Sequence, residues 1–325
     1  MNVLVVGGAG YIGSHCVRRL LAAGHRPVVL DDLSLGHAVS VPAGTPLIRA
    51  DMADAEALLS AVREHRIGAA FHLAALANVG ESVREPERYR LHNVVKAAAM
   101  LDVLEAAGVR RFVFSSSCAV YGVPPNVPIT EDMPLVPVNP YGRTKLEAEG
   151  RLDSAARAGR ASFVALRYFN AAGAAGDGST GEDHEPETHL IPLAIGAALG
   201  RRPPLTVFGT DYPTPDGTCL RDYVHVEDLA DAHVAALTRL DRPGTALALN
   251  LGTGRPHSVR EVIASVERVG GRPVPHAFGP RREGDPPALY ADASRARAEL
   301  GWSPRFTDID AIVGFAWRWH VSRSR

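Results

Sequence analysis

Tyr141 and Lys145 stand four residues apart in a stretch of helical pattern, so their side chains share one helix face. A phenol with an unperturbed pKa of about 10 is a poor base near neutrality. A neighbouring ammonium favours the phenolate and is expected to pull that value down, making Tyr141 a proton acceptor for an alcohol. Ser117 ends the run Ser115-Ser116-Ser117 just past an apolar stretch, where a hydroxyl can bridge a substrate oxygen and the phenol. A tyrosine–lysine pair at this spacing is common by chance, and its weight comes from its surroundings. Lysine occurs only at Lys96 and Lys145, the other basic residues being arginine.

The loop GGAGYIG, residues 7–13, lies between the β-branched run 3–6 and a helical pattern at about 11–23. Gly7, Gly10 and Gly13 give the spacing GxxGxxG: a tight turn, room for a pyrophosphate against the backbone, and close helix–strand packing. The N–H groups that open the helix then face the phosphate charge. Asp31 ends the next apolar run and can accept from both ribose hydroxyls of adenosine. It would repel a 2′-phosphate, so NAD is expected rather than NADP. Asp51-Met52 ends the third run, either at the adenine edge or as a helix N-cap. With NAD in place a hydride acceptor lies near the Tyr141 base, its positive ring favours the phenolate, and Lys145 can also reach the nicotinamide ribose.

The elements that must hold these groups alternate. Short apolar runs at 3–6, 27–30, 47–50, 69–73, 111–114 and 163–166 are separated by helical patterns at about 54–66, 87–107 and 141–158. Strand–helix alternation implies parallel pairing and right-handed crossovers, hence an α/β, doubly wound (Rossmann-type) parallel sheet. After Asn170 the segment 171–217 is rich in Gly and Pro. The expected division is a cofactor domain over 1–170, rejoined by 218–245, and a smaller α/β substrate domain from 171–217 and 246–325, interleaved.

With 325 residues, 46% hydrophobic and 22% charged, the chain reads as two folded domains rather than a disordered or fibrous protein. Thirty-five basic and 36 acidic residues give a formal net charge of -1, so no field draws a polyanion and nucleic acid is not an expected partner. No apolar run reaches the ~18–20 residues of a membrane span. The start runs straight into a strand pattern without a basic leader, and Cys16, Cys118 and Cys219 form neither a disulfide framework nor a zinc-ligand spacing. A reducing, cytoplasmic setting without a metal is expected.

Together the glycine loop, residues 115–122 (SSSCAVYG), 141–145 (YGRTK) and 167–170 (RYFN) resemble the extended short-chain dehydrogenase/reductase family. Residues 186–192 (PETHLIP), 207–217 (VFGTDYPTPDG), 221–228 (RDYVHVED) and 281–292 (RREGDPPALYAD) are similar to its UDP-glucose (UDP-galactose) 4-epimerase branch. The resemblance spans essentially the whole chain. It implies a tightly held NAD, C4 oxidation to a 4-keto sugar, rotation of that sugar, and re-reduction on its opposite face. Tyr141 would be the base, Lys145 its pKa-lowering neighbour and Ser117 the proton relay. It adds Tyr11, Ile12, Asp32, Leu73, Asn93, Ser115 and Tyr168 to the cofactor contacts. It places Asn170, His189, Leu190, Arg221, Arg282 and Asp285 on the UDP-sugar, with Phe208 at the uracil and Leu289 as a gate beside the hexose. It also implies a homodimer through the helices near 87–107 and 141–158.

Three positions depart from the family pattern. Ala77 replaces a lysine common on the nicotinamide side, His189 an asparagine at the diphosphate, where a neutral imidazole still donates one hydrogen bond, and Leu289 is intermediate in bulk at the gate. UDP-N-acetylhexosamine, UDP-pentose and UDP-uronate therefore stay open as substrates beside UDP-glucose and UDP-galactose. A 4,6-dehydratase would need an acid–base pair where Cys118-Ala119 stand, and an NAD-sensing regulator would not need Ser117, Tyr141 and Lys145 together.

Overall fold

The computed structural model describes residues 1–282 and 284–323. Seven strands form one parallel sheet in the order Ala246–Leu251, Ser162–Tyr168, Arg111–Ser117, Ala69–His72, Asn2–Val6, Arg26–Asp31 and Leu47–Arg49. Helices cover both faces, which is why the central strands are unbroken apolar runs: Val3, Leu4, Val5 and Val6 are all fully buried. One face packs Val3, Val5 and Phe71 against Cys16 and Leu20 of helix Tyr11–Ala22 and Leu229 of helix Val226–Ala236. The other packs Leu4, Val6 and Phe112 against Met100 of helix Ala97–Ala106 and Leu152 of helix Pro140–Arg157. The chain builds outward from Asn2–Val6 on one side and then restarts at Ala69–His72 on the other. The sheet order thus reverses beside the glycine loop, where a crevice opens at the carboxyl ends of the strands.

The smaller region is a sheet of Pro256–Ser258, Leu220–His225 and Ala288–Leu289, with Asn170–Ala172 also paired to Leu220–His225, plus a parallel pair Leu205–Phe208 and His276–Gly279. Its core joins Ile191 and Ile195 to Val262, Val266, Ile312 and Val313 of three helices. Two segments sit across the boundary expected from sequence. Ala246–Leu251, assigned there to the substrate domain, is the outer strand of the large sheet against Ser162–Tyr168. Leu220–His225 belongs to the small sheet, and only the helix after it joins the large one. A run such as ALALNL shows that it is a strand but does not name its partner.

The expected long helix near 87–107 comprises Pro86–Arg90, a π-helical turn over Leu91–Lys96 and Ala97–Ala106. The wide turn carries the buried Asn93. Among the described residues no helix is long and apolar enough to cross a membrane.

Candidate active site

The three glycines do different work. Gly7 has φ +84°, and a Cβ there would lie 2.4 Å from Ala74 N; on Gly13 it would lie 2.0 Å from Gly7 O. On Gly10 it would meet only Gly7 O at 3.4 Å. Gly7 and Gly13 are thus demanded by packing, while Gly10 keeps backbone open for a ligand. Gly10 also caps helix Tyr11–Ala22 with no side-chain hydrogen bond, leaving the first-turn N–H groups of Tyr11, Ile12 and Gly13 without a side-chain acceptor. Asp31 is buried and accepts from Ala9 N and Leu33 N, both at 2.9 Å, one on each oxygen. Burial pushes its carboxyl up against those two bonds. Each oxygen keeps a lone pair for a ribose hydroxyl. Asp32 accepts from Ser34 N at 2.9 Å and so shapes the next turn. Asp51 pairs with Lys96, which outweighs burial and holds the carboxyl below its usual range, and Asp51 also accepts from Ala53 N at 2.9 Å. Met52 is buried in the core. An open Gly10, an uncapped helix start and a carboxylate at the strand end fit a dinucleotide with a free 2′-hydroxyl, as NAD has.

Ser117 ends the strand Arg111–Ser117, and Tyr141 and Lys145 lie in the first turns of Pro140–Arg157. Asn139 caps that helix by accepting from Gly142 N at 2.8 Å, with Pro140 next in line. A Cβ on Gly142 would come within 2.4 Å of Ala119 O, so only glycine lets the helix close on the turn Cys118–Tyr121 and bring Tyr141 to Ser117. Lys145 Nζ donates to Ser115 O at 2.8 Å and lies 5.9 Å from the Tyr141 ring centre and 5.0 Å from that of Phe114. All three site residues are buried.

The direction of the Tyr141 shift is opposite to that expected from sequence. Burial pushes the phenol up to about 12, and a hydrogen bond with Ser117 only partly opposes it. Burial also lowers Lys145 to about 7, with Glu149 pulling the other way. Two groups taken out of water both favour their neutral forms. The described surroundings thus favour a neutral phenol, and lowering its pKa would take a further positive charge beside it, such as an oxidised nicotinamide carries.

The sheet beneath is wired by buried polar groups. His233 Nδ1–H donates to Leu229 O at 2.8 Å, so its neutral ring accepts from Ser115 Oγ at 2.8 Å. Tyr168 lies beside the same imidazole, ring centres 6.2 Å apart. Asn93 is fully committed to the loop after Ala69–His72: it accepts from Leu76 N and donates to Leu76 O, both at 2.9 Å, and reaches Thr144 at 3.2 Å. It thus fixes the segment from Leu73 to Ala77, where Ala77 is exposed. Sequence reasoning missed Glu149, although it follows Tyr141 and Lys145 at the same four-residue interval. Glu149 accepts from Ser116 and from Arg167, at 3.0 Å (Nε) and 2.6 Å (Nη2), and Arg167 donates on to Tyr121 at 3.0 Å.

Across the crevice, Asn170, His189, Leu190, Phe208, Arg221, Arg282 and Asp285 line one cleft. Arg282 stacks over the Phe208 ring at 5.2 Å and donates to Asp285 at 2.9 Å. Arg221 pairs with the other Asp285 oxygen at 3.6 Å and is braced by Leu220 O and Pro286 O. Asp285 thus holds two arginines together. Asn170 donates to Asp222 O at 3.1 Å. Leu289 pairs in register with Arg221 at the edge of this cleft, and its side chain packs against the cluster of Val120, Tyr121 and Phe169. His189 differs from the neutral donor expected: its Nδ1 faces Glu182 at 2.8 Å and Glu187 at 3.1 Å. Burial disfavours the charged ring, but the two carboxylates outweigh it and raise its pKa well above the ordinary value. Glu182, His184 and Glu187 also escaped the sequence reading; their signal is the spacing ExHxxExH within residues 182–189.

Residues 3–252 match the NAD dependent epimerase/dehydratase family. The chain is 51% identical over 321 residues to the UDP-glucose 4-epimerase of Azospirillum brasilense, covering 99% of this chain and 92% of that one. It superposes on the crystal structure of UDP-glucose 4-epimerase from Brucella ovis in complex with NAD with TM-score 0.94 and 50% identity, covering 98% and 97% of the two chains. It superposes on that from Bifidobacterium longum in complex with NAD+ and UDP with TM-score 0.93 and 38% identity, covering 99% and 98%. With its glycine cradle, its strand-end carboxylate and matches of this length, the chain belongs to the NAD dependent epimerase/dehydratase family.

Proposed function

We propose that the protein interconverts UDP-glucose and UDP-galactose by inverting C4 of the hexose. The observation that carries the reading is the buried cluster of Ser117, Tyr141 and Lys145 facing the crevice beside a dinucleotide cradle, with the Arg221–Asp285–Arg282 group and Phe208 at the other end. Residues 7–13, Asp31, Asp32 and Asp51 would hold NAD, which when bound would supply the reversible hydride acceptor the reaction needs. Tyr141 Oη takes the proton of the C4 hydroxyl and later gives it back; Ser117 orients that oxygen and passes the proton. Lys145, seated on Ser115 O, holds the ribose side and steadies the phenolate once it forms. Arg221 and Arg282 grip the diphosphate, His189 adds a donor, and Phe208 packs on the uracil. The nucleotide stays fixed while the 4-keto hexose turns over beside Leu289.

Cys118, whose thiol burial pushes up to about 12, and Ala119 supply no acid–base pair for water elimination, which argues against a 4,6-dehydratase. Leucine at 289 favours hexoses without an N-acetyl group. A homodimer is supported by exposed Val79, Val83, Leu91 and Val95 on the helical segments at 79–96, and a cytoplasmic setting by three free cysteines. The test is incubation with UDP-galactose without added NAD. UDP-glucose is the expected product; a stable 4-keto-6-deoxy sugar, or no C4 inversion with this or any other UDP-sugar, would overturn the proposal.

A further inference from the structure

Residues 182–189 gather four ligand-type side chains in eight positions. The liganding atoms of Glu182, His184, Glu187 and His189 all lie within 4.8 Å of one another. His189 Nδ1 is 2.8 Å from Glu182 and 3.1 Å from Glu187, while His184 Nδ1 is 3.4 Å and 3.8 Å from the same two carboxylates. A tetrahedral ion with bonds of about 2.0–2.2 Å holds its ligand atoms roughly 3.4 Å apart, the middle of that range. Both carboxylates are buried, and the ion pairs they make here are with histidines. His184 Nδ1 is a buried atom without a hydrogen-bond partner, and it points at the two carboxylates. Two adjacent buried anions need two positive charges nearby. One divalent cation set among these four ligand atoms would supply both.

We propose that Glu182, His184, Glu187 and His189 form a closed, structural site for a divalent transition metal, zinc being the best match to two imidazoles and two carboxylates. Four protein ligands leave no open position, so the ion does no chemistry on substrate. It fastens the loop that lies between the cofactor and nucleotide ends. The His184 ring packs edge-on against Tyr11 of the glycine loop, ring centres 6.2 Å apart, and His189 lines the nucleotide cleft. Using Nδ1 for the metal leaves His189 Nε2 for a phosphate oxygen. A second cleft of about 470 Å³, lined by Asp183, His184, Glu187 and Arg202 among others, adjoins the cluster.

The test uses tag-free full-length protein stripped with a chelator, incubated with Zn2+ alone, desalted and analysed for metal. About one zinc per chain is expected, falling to a tenth or less in His184→Ala and in the isosteric Glu187→Gln. Neither substitution touches the proposed base or the arginine group. Because His184→Ala can disturb the loop, Co2+ is added to the wild type in parallel, and the intense visible bands of a tetrahedral N/O site are expected. Zinc retained equally by wild type and both variants, or no zinc and no visible bands in the wild type, would overturn the site and leave an ion-paired tetrad charged by protons.

Discussion

At the Tyr141 end, Ser117, Tyr141 and Lys145 are buried and carried by a central strand and a capped helix, whereas at the Phe208 end the ring is 39% exposed and the Arg282 side chain 61% exposed, on a loop beside short edge strands. The first end has its polar groups matched one by one: Lys145 on Ser115 O, Ser115 on His233, Asn93 on Leu76, Glu149 on Arg167. The second holds charge in a shared group, with one aspartate between two arginines. Proton transfer needs a fixed distance and a dry surround, while recognition of a charged, flexible nucleotide tolerates side chains that still move. A site that must hold UDP and let the hexose turn has reason to place its rigidity under the reacting carbon.

The sharpest way to break this contrast is Tyr141→Phe. It removes one oxygen from a packed site and should lower kcat by about 10²–10⁴-fold with little change in KM, since general acid–base groups contribute about that much. Equal rates for variant and wild type in conversion of UDP-galactose would discard Tyr141 as the base. The next effect is on stability and comes from four buried histidines, His15, His72 and His233 on the large sheet and its helices and His225 at the end of a small-sheet strand. Burial lowers His72 and His225 to about 3 and His15 and His233 to about 4, with smaller contributions from neighbouring charges and backbone acceptors. Their unfolded value is about 6.5, so below that pH the unfolded chain takes up protons the folded one refuses. Their contribution is complete above pH 6.5 and is lost as pH falls, toward about 4 for His15 and His233 and about 3 for His72 and His225, by about 1.4 kcal/mol per pH unit for each histidine that remains neutral. Urea midpoints measured between pH 7 and 4.5 should drop steeply, and His233→Leu should flatten the slope. A level profile across that window would mean that these rings are not held neutral.

Much of the rigid half is readable in sequence because its function and its packing use the same residues. Gly7, Gly10 and Gly13 announce the loop by spacing, and only the three-dimensional contacts separate Gly10 from the other two. Asp31 is legible because it must follow a strand. The direction of the Tyr141 shift is not, since a nearby lysine is visible in sequence but the depth of burial that overrides it is a sum over neighbours from many segments. The wide turn that carries Asn93 has no signature in LHNVVK, and the partner of residues 246–251 is fixed by the sheet rather than by the run. The tetrad at 182–189 looks locally like a solvated, Pro-containing loop, and its burial is what changes its meaning.

The more exposed nucleotide end should respond in binding rather than turnover, and unevenly. Arg221 is 14% exposed and anchored by two carbonyls, so Arg221→Ala leaves Asp285 and those acceptors short of a charged donor and should weaken UDP binding by about 1.5–3 kcal/mol, or roughly 10–100-fold.

Arg282 is the smaller case. It sits over an exposed ring and shares Asp285, and an exposed cation–π contact is worth about 0.5–1 kcal/mol, a factor of roughly two to five in Kd. Arg282→Ala and Phe208→Leu should each raise the UDP Kd by about that factor with kcat unchanged, and the double variant should cost less than the two together, because the stack is lost only once. Calorimetric titration of UDP into the three variants decides it. If Arg282→Ala matched Arg221→Ala, the loop arginine would be as firmly placed as the strand arginine, and the grading from a fixed reaction centre to a yielding nucleotide grip would not hold.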